Sequence, residues 1–349
     1  MCNIAGYVGE HRAAPILLDM IEKQEGFAGG YYTGLATIHE GKIYYAKLTG
    51  DTNRLIKNTD AAHLPGNIGI IHSRSKAGGG DEWAHPFLGL SGDDITTAYV
   101  ANGSMGCFAV QSDLFDKLTQ DLDDQGYRML SRAECENTKY PRLADGMAVH
   151  MSDVMCQLIL RQMNGGKTEH GAMAEAFCEM PNEIVGLLLS LGTPDAIVWS
   201  RINMPMFAAF ADHGAYLSST PIAIPADAGE ATLLSACSSG YVYRDGFTTT
   251  KFDKAPAKVA KIDAKTVAAA YDKICDELSG GAKKFSVISK SIKPLFEAAD
   301  CVPSAAVTYM VLDSLLKQGR LNVRTVRVDG ATDNIDAPCF MMSLADKSE

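Results

Sequence analysis

No stretch of this 349-residue sequence approaches the roughly 18 consecutive apolar residues a membrane-spanning helix needs. No basic leader precedes an apolar segment near the start, so a secretory signal is not expected. The nine cysteines include no Cys-x-x-Cys pair, which speaks against a disulfide framework or a thiolate zinc site and for a reducing, cytoplasmic setting. Neither Gly-x-Gly-x-x-Gly nor a phosphate loop with its lysine and hydroxyl occurs, and no cofactor or resident metal is expected. Excess positive charge is missing too. Residues 1–253 carry 18 basic and 30 acidic side chains, so non-specific nucleic-acid binding by that part is not expected. Residues 254–349 carry 14 and 12, close to neutral.

What is present is a composition of 46% hydrophobic and 21% charged residues, suited to a globular core. The first 250 residues hold short apolar runs bounded by Gly, Asp, Asn or Pro: NIAGYVG, TGLATIHEG, KIYYAKL, NIGIIHS, TTAYVANG, VGLLLSL, DAIVWSRI, MFAAFAD and GYVYRDG. Their lengths and boundaries predict strands. APILLDMIEKQ and MSDVMCQLILRQM space their apolar side chains by three and four and predict helices. Strands in groups with helices between them indicate α+β layering. Beyond Asp253, KTVAAAYDKICDELSGG, SVISKSIKPLFEAAD and SAAVTYMVLDSLLKQG read as three helices, followed by a possible hairpin of NVRTVRV and PCFMMSL. That order also suits a winged helix, although a subdomain for packing or dimerisation fits it better.

Three stretches can carry chemistry. Cys2 follows Met1 directly, and removal of that methionine leaves an α-amino group beside a thiol. The amine titrates near pH 7.7–8.0, roughly where a general base is useful, so nucleophile and base share one carbon. The plainer alternative is a small apolar residue plugging the first strand. In GNIGIIHSRSKAGGGDEWAHPF, a strand delivers His72 and Arg74 to a glycine-rich loop that could act as a lid. An arginine there can clamp a carboxylate through paired hydrogen bonds, or simply lie on the surface. Asn102-Gly103 ends TTAYVANG; the pair is a turn signal, and also a side-chain amide and backbone N–H able to face an oxyanion. Trp83 and His85 read as structural.

MCNIAGYVG, GNIGIIHSR, AHPF and ANG, in this order and spacing, resemble the glutaminase domain of class II glutamine amidotransferases. The similarity extends through GGYYTGLATIHEGKIYYAKLTG and IVWSRINMPMFAAFADHGAYLSSTPIAI, covering residues 2–253. It implies a four-layer αββα sandwich, the N-terminal-nucleophile hydrolase fold, with residues 254–349 as a small, mainly helical subdomain. It implies Cys2 as nucleophile and Asn102 with Gly103 as the oxyanion hole. Arg74 and the neighbouring His72 fall on the substrate side, with Arg74 holding the glutamine α-carboxylate. Asp153, at the start of a predicted helix, matches the residue that binds the α-ammonium; a carboxylate favoured by the helix dipole is the alternative.

The pattern is not complete. Ser75, Ala77, Ala101 and Met155 stand where the family usually has an aromatic residue, a threonine, a histidine and an acidic residue. The expected reaction is hydrolysis of L-glutamine through a thioester. Since residues 254–349 are too few for a sugar-phosphate synthase, the ammonia acceptor is expected on a separate chain, with a homo-oligomer also possible. Two alternatives remain: an N-terminal-cysteine hydrolase of another amide, and a non-catalytic glutamine-binding or partner-binding protein. Screening amide substrates separates the first, and glutamine binding without glutamate formation identifies the second.

Overall fold

In the computed structural model, residues 2–76, 78–135, 139–296, 299–332 and 334–345 are described; Met1 and Ala77 lie outside them. Strands β1 (Asn3–Gly9), β2 (Tyr32–His39), β3 (Lys42–Thr49) and β4 (Ile68–Arg74) begin one antiparallel sheet. β5 (Phe87–Ser91), β6 (Asp94–Ser104), β7 (Glu183–Ser190) and β8 (Ile197–Arg201) begin a second. β9 (Phe207–Ala211), β10 (Gly214–Ser218) and β11 (Thr232–Leu233) rejoin the first sheet, giving the order β11-β9-β10-β1-β4-β2-β3. β12 (Ser238–Tyr243), β13 (Gly246–Phe247) and β14 (Thr250–Lys251) complete the second, ordered β13-β12-β8-β7-β6-β5 with β14 beside β12.

The residues of β1 show why the sheets stack. All seven are buried, because a strand's two faces alternate and both are covered here. Ile4 and Val8 join a core between the sheets with Val100, Leu187 and Trp199 of the opposite sheet. Ala5 and Tyr7 point the other way, into a core with Leu17, Met20 and Ile21 of α1 (Ala13–Ala28). A short α2 (Thr52–Asn58) follows β3. On the outer face of the second sheet lie α3 (Ser112–Asp124), α4 (Met151–Asn164) and α5 (Glu169–Glu179), where Val154, Leu158 and Phe177 pack on Tyr99, Leu188 and Val198. The result is the expected four-layer αββα sandwich.

The remaining elements are α6 (Ala264–Ser279), β15 (Lys283–Lys284), α7 (Phe285–Ser291), α8 (Ser304–Lys317), β16 (Leu321–Asp329) and β17 (Asp336–Leu344). The last two pair as a hairpin, as expected. The helix expected over SVISKSIKPLFEAAD stops at Ser291, because Pro294 disfavours helical backbone ahead of it; a 3-10 turn over Lys293–Leu295 follows. These elements lie against α1, whose Phe27 ring sits edge-on to Phe285, Tyr309 and Phe340 at centroid distances of 5.8, 5.5 and 4.9 Å. Among the described residues, no helix is long and apolar enough to cross a membrane.

Candidate active site

The antiparallel registers converge on one edge of the sandwich. Asn3 of β1 lies opposite Ser73 of β4, and Tyr32 of β2 opposite Arg74, so Cys2 emerges beside the end of β4. β6 of the second sheet ends at the same edge. There the backbone N–H of Cys2 donates to Asn102 Oδ1 at 2.9 Å. With that oxygen engaged, Asn102 has its Nδ2 donor for another partner. Gly103, next in the ladder, pairs with Ile184 of β7. Cys2 Sγ accepts from Ser75 N–H at 3.5 Å and lies 3.7 Å from the Ser75 hydroxyl. The structure thus brings Cys2, Asn102, Gly103 and the end of β4 together.

Burial by itself would raise the Cys2 thiol pKa from its ordinary 9.0. His72 beside it, together with the Ser75 N–H, more than reverses this and lowers it to about 6. The His72 effect is one of proximity, since neither of its ring nitrogens has a hydrogen-bond partner among the described residues. The His72 ring stacks on His85 at 3.7 Å. Burial, then the nearby positive charges, lowers the pKa of His85 and His150 well below the usual histidine value and holds both neutral.

Arg74 is almost fully buried, against expectation for a lone arginine. Its guanidinium donates to Gly78 O at 3.2 Å, Trp83 O at 3.3 Å and Tyr140 Oη at 3.0 Å, and lies 4.5 Å from the centre of the Tyr32 ring. The glycine-rich segment is pinned here. Tyr32 Oη donates to Gly79 O, and Gly79 has φ +74° where an added Cβ would stand 2.2 Å from the Trp83 ring. Lys47 Nζ reaches in from β3 to donate to Ala84 O and Pro86 O, and burial lowers its pKa.

Asp153, expected to meet the substrate ammonium, is fully buried in this conformation. Its carboxylate accepts from Ser131 N–H at 2.8 Å and from Gln157 Nε2 at 3.2 Å. Ser131 O in turn accepts from Trp83 Nε1 at 2.7 Å, which puts Asp153 behind the aromatic wall around Arg74. Sequence reasoning did not single out Tyr140, Lys47, Ser131 or Tyr309, whose hydroxyl donates to Asn3 Oδ1 at 3.2 Å. Tyr140 and Ser131 come from a segment with no recognisable pattern, while Lys47 and Tyr309 lie in a predicted strand and helix whose periodicity does not mark single side chains as part of a site. A surface cavity of about 840 Å³ is lined by Asp212, His213 and Arg244 at the far end of β1 and is remote from Cys2.

The chain resembles the class II glutamine amidotransferases in both sequence and fold. It is 25% identical over 250 residues to glutamine–fructose-6-phosphate aminotransferase of Pyrococcus horikoshii, covering 71% of this chain and 37% of that protein. It is 26% identical over 276 residues to the same enzyme of Streptomyces coelicolor, covering 78% and 40%. The chain therefore spans well under half the length of these curated relatives. No family model matches it. The glutamine phosphoribosylpyrophosphate amidotransferase of B. subtilis, solved with ADP and GMP, superposes with a TM-score of 0.59 at 16% identity, over 93% of this chain and 66% of that one. A second structure, described as the allosteric regulatory enzyme of purine biosynthesis, gives 0.59 at 15% identity over 96% and 67%. At such identities the two structures speak for the fold alone.

Proposed function

We propose that this chain hydrolyses the side-chain amide of L-glutamine and releases ammonia for an acceptor synthase on a separate chain. The supporting observation is the meeting of a low-pKa Cys2 thiol with Asn102 and Gly103 at the joined edges of the two sheets. The Cys2 thiolate attacks the amide carbon, and the oxygen gains negative charge. Asn102 Nδ2 and Gly103 N–H donate to it. The α-amine of Cys2, exposed once Met1 is removed, gives its proton to the departing nitrogen, and ammonia leaves. Water then cleaves the thioester to glutamate and returns the thiol.

Arg74 is the carboxylate clamp of this scheme, held ready by Gly78, Trp83 and Tyr140. Direct recognition of the substrate ammonium by Asp153 requires its bonds to Ser131 and Gln157 to exchange. Until then it positions Trp83 through Ser131. Glutamine-dependent ammonia release decides the matter. Cys2→Ala is expected to abolish it, and Asn102→Ala to lower kcat by about 10²–10³-fold. Glutamine binding with no glutamate formed, by the purified chain alone and with candidate synthases added, would sink the proposal.

A further inference from the structure

The Cys-x-x-Cys spacing missing from the sequence does not prevent two thiols from meeting in the fold. Cys107 lies in the 3-10 turn Gly106–Gln111, just beyond β6 and the Asn102-Gly103 pair. Cys301 precedes α8, 194 residues later in the chain, and its Sγ stands 3.0 Å from that of Cys107. Glu183, the first residue of β7, completes a triad whose three donor atoms all lie within 4.8 Å of one another.

We propose that Cys107, Glu183 and Cys301 form a binding site for a borderline-soft divalent cation of the zinc type, with its remaining position open to water. Two thiolates and a carboxylate are a donor set that such a cation accepts. The surroundings fit it. Gly106 has φ +44°, and a Cβ there would fall 1.8 Å from Glu183 Oε2, so only glycine lets the carboxylate turn towards Cys107. Asn203 Nδ2 donates to Glu183 Oε1 at 3.1 Å and orients it from behind. Phe108, Ala257 and the buried Cys301 form an apolar wall with Val259, while the exposed Cys107 marks the side of entry.

Two thiols and a carboxylate are held within reach of one another, and a divalent cation is the partner that would bind all three. Two sulfurs on a tetrahedral zinc stand about 3.8 Å apart, given Zn–S bonds of about 2.3 Å. The sulfurs must therefore separate by about 0.8 Å, a movement that the exposed Cys107 side chain can make. The bound ion would fasten the turn after the Asn102-Gly103 strand to the segment leading into α8.

The test uses the full chain with Cys2→Ala, which removes a competing thiol, kept reduced and stripped by chelator. Titration is expected to give one equivalent of tightly bound Zn²⁺ with a rise in Tm. Co²⁺ in its place should show thiolate-to-cobalt charge transfer in the near ultraviolet. Cys107→Ser, at an exposed position that spares the core, should weaken Zn²⁺ binding by at least 10–100-fold and remove the Tm rise. Glu183→Gln should weaken binding about 10-fold while keeping the charge-transfer band. Cys275→Ser should change nothing. No Zn²⁺ uptake at micromolar concentration, uptake indifferent to Cys107→Ser, or a Cys107–Cys301 disulfide formed in place of metal binding would each overturn the proposal.

Discussion

Replacing His72 by Asn isolates the electrostatic feature that lowers the Cys2 thiol pKa. The Cys2 thiol titrates near pH 6 against an ordinary 9.0. The difference of about 3 units corresponds to about 4 kcal/mol in favour of the thiolate, even though burial works against it. Asparagine keeps a polar side chain at position 72 but carries no charge. In His72→Asn, burial stays and the main opposing group goes, so the inflexion should move from about 6 to 9 or above. At pH 7 the thiolate fraction would fall from roughly nine tenths to roughly one hundredth. The reaction rate falls less, because a more basic thiolate is a better nucleophile, so the inflexion is the proper readout. Alkylation of Cys2 by iodoacetamide, followed by peptide mass mapping across pH 4 to 10, measures it. By linkage, the depressed thiol stabilises the fold above its unfolded pKa and loses that contribution as pH falls through about 6. An inflexion near 9 in the parent, or an unshifted one in His72→Asn, would refute the reasoning.

Two further outcomes test the architecture. Glu25 is buried, accepts from Thr52 and Ser73, and has its pKa raised from 4.5 to about 7, chiefly by burial. Its stabilising contribution is therefore complete below pH 4.5 and is lost as pH rises through about 7; urea melts should show Glu25→Gln gaining about 3 kcal/mol on the parent across that range, and parallel curves would count against it. Phe27→Ala removes the ring that Phe285, Tyr309 and Phe340 surround, so chemical denaturation should show a loss of about 3–5 kcal/mol, with proteolysis beginning beyond residue 253; a loss below about 1 kcal/mol would mean that the C-terminal elements are held by something else.

Much of the fold could be read in the residues because local pattern and burial agree. β1, β2, β4, β7 and β8 are the apolar runs bounded by turn residues, and α1 and α4 show helical spacing. α3 was missed although Phe115, Leu118, Thr119 and Leu122 line its buried face, because its acidic outer positions dilute the apolar signal. α5 and β5 were also not read, although Gly165-Gly166 and Pro181 bound the first and Pro86 and Gly92 the second. Asp153 shows the limit of motif matching: its place at the first turn of α4 is legible, and Gln157 lies one turn on in the same helix, but the commitment of its carboxylate to Ser131 depends on a loop 22 residues away.

What the sequence alone determined, then, is most of the strands and helices, which follow from periodicity and boundary residues. The sandwich, and Cys2 with Asn102 as candidate site residues, came from short motifs and the family resemblance they carry. Only the tertiary structure decided the rest: that Arg74 is buried among Tyr32, Trp83 and Tyr140, that His72 tunes the thiol, and that Cys107 meets Cys301. Those are contacts between segments far apart in the chain. Their energies depend on distance and on exclusion of water, and neither is written in the order of residues.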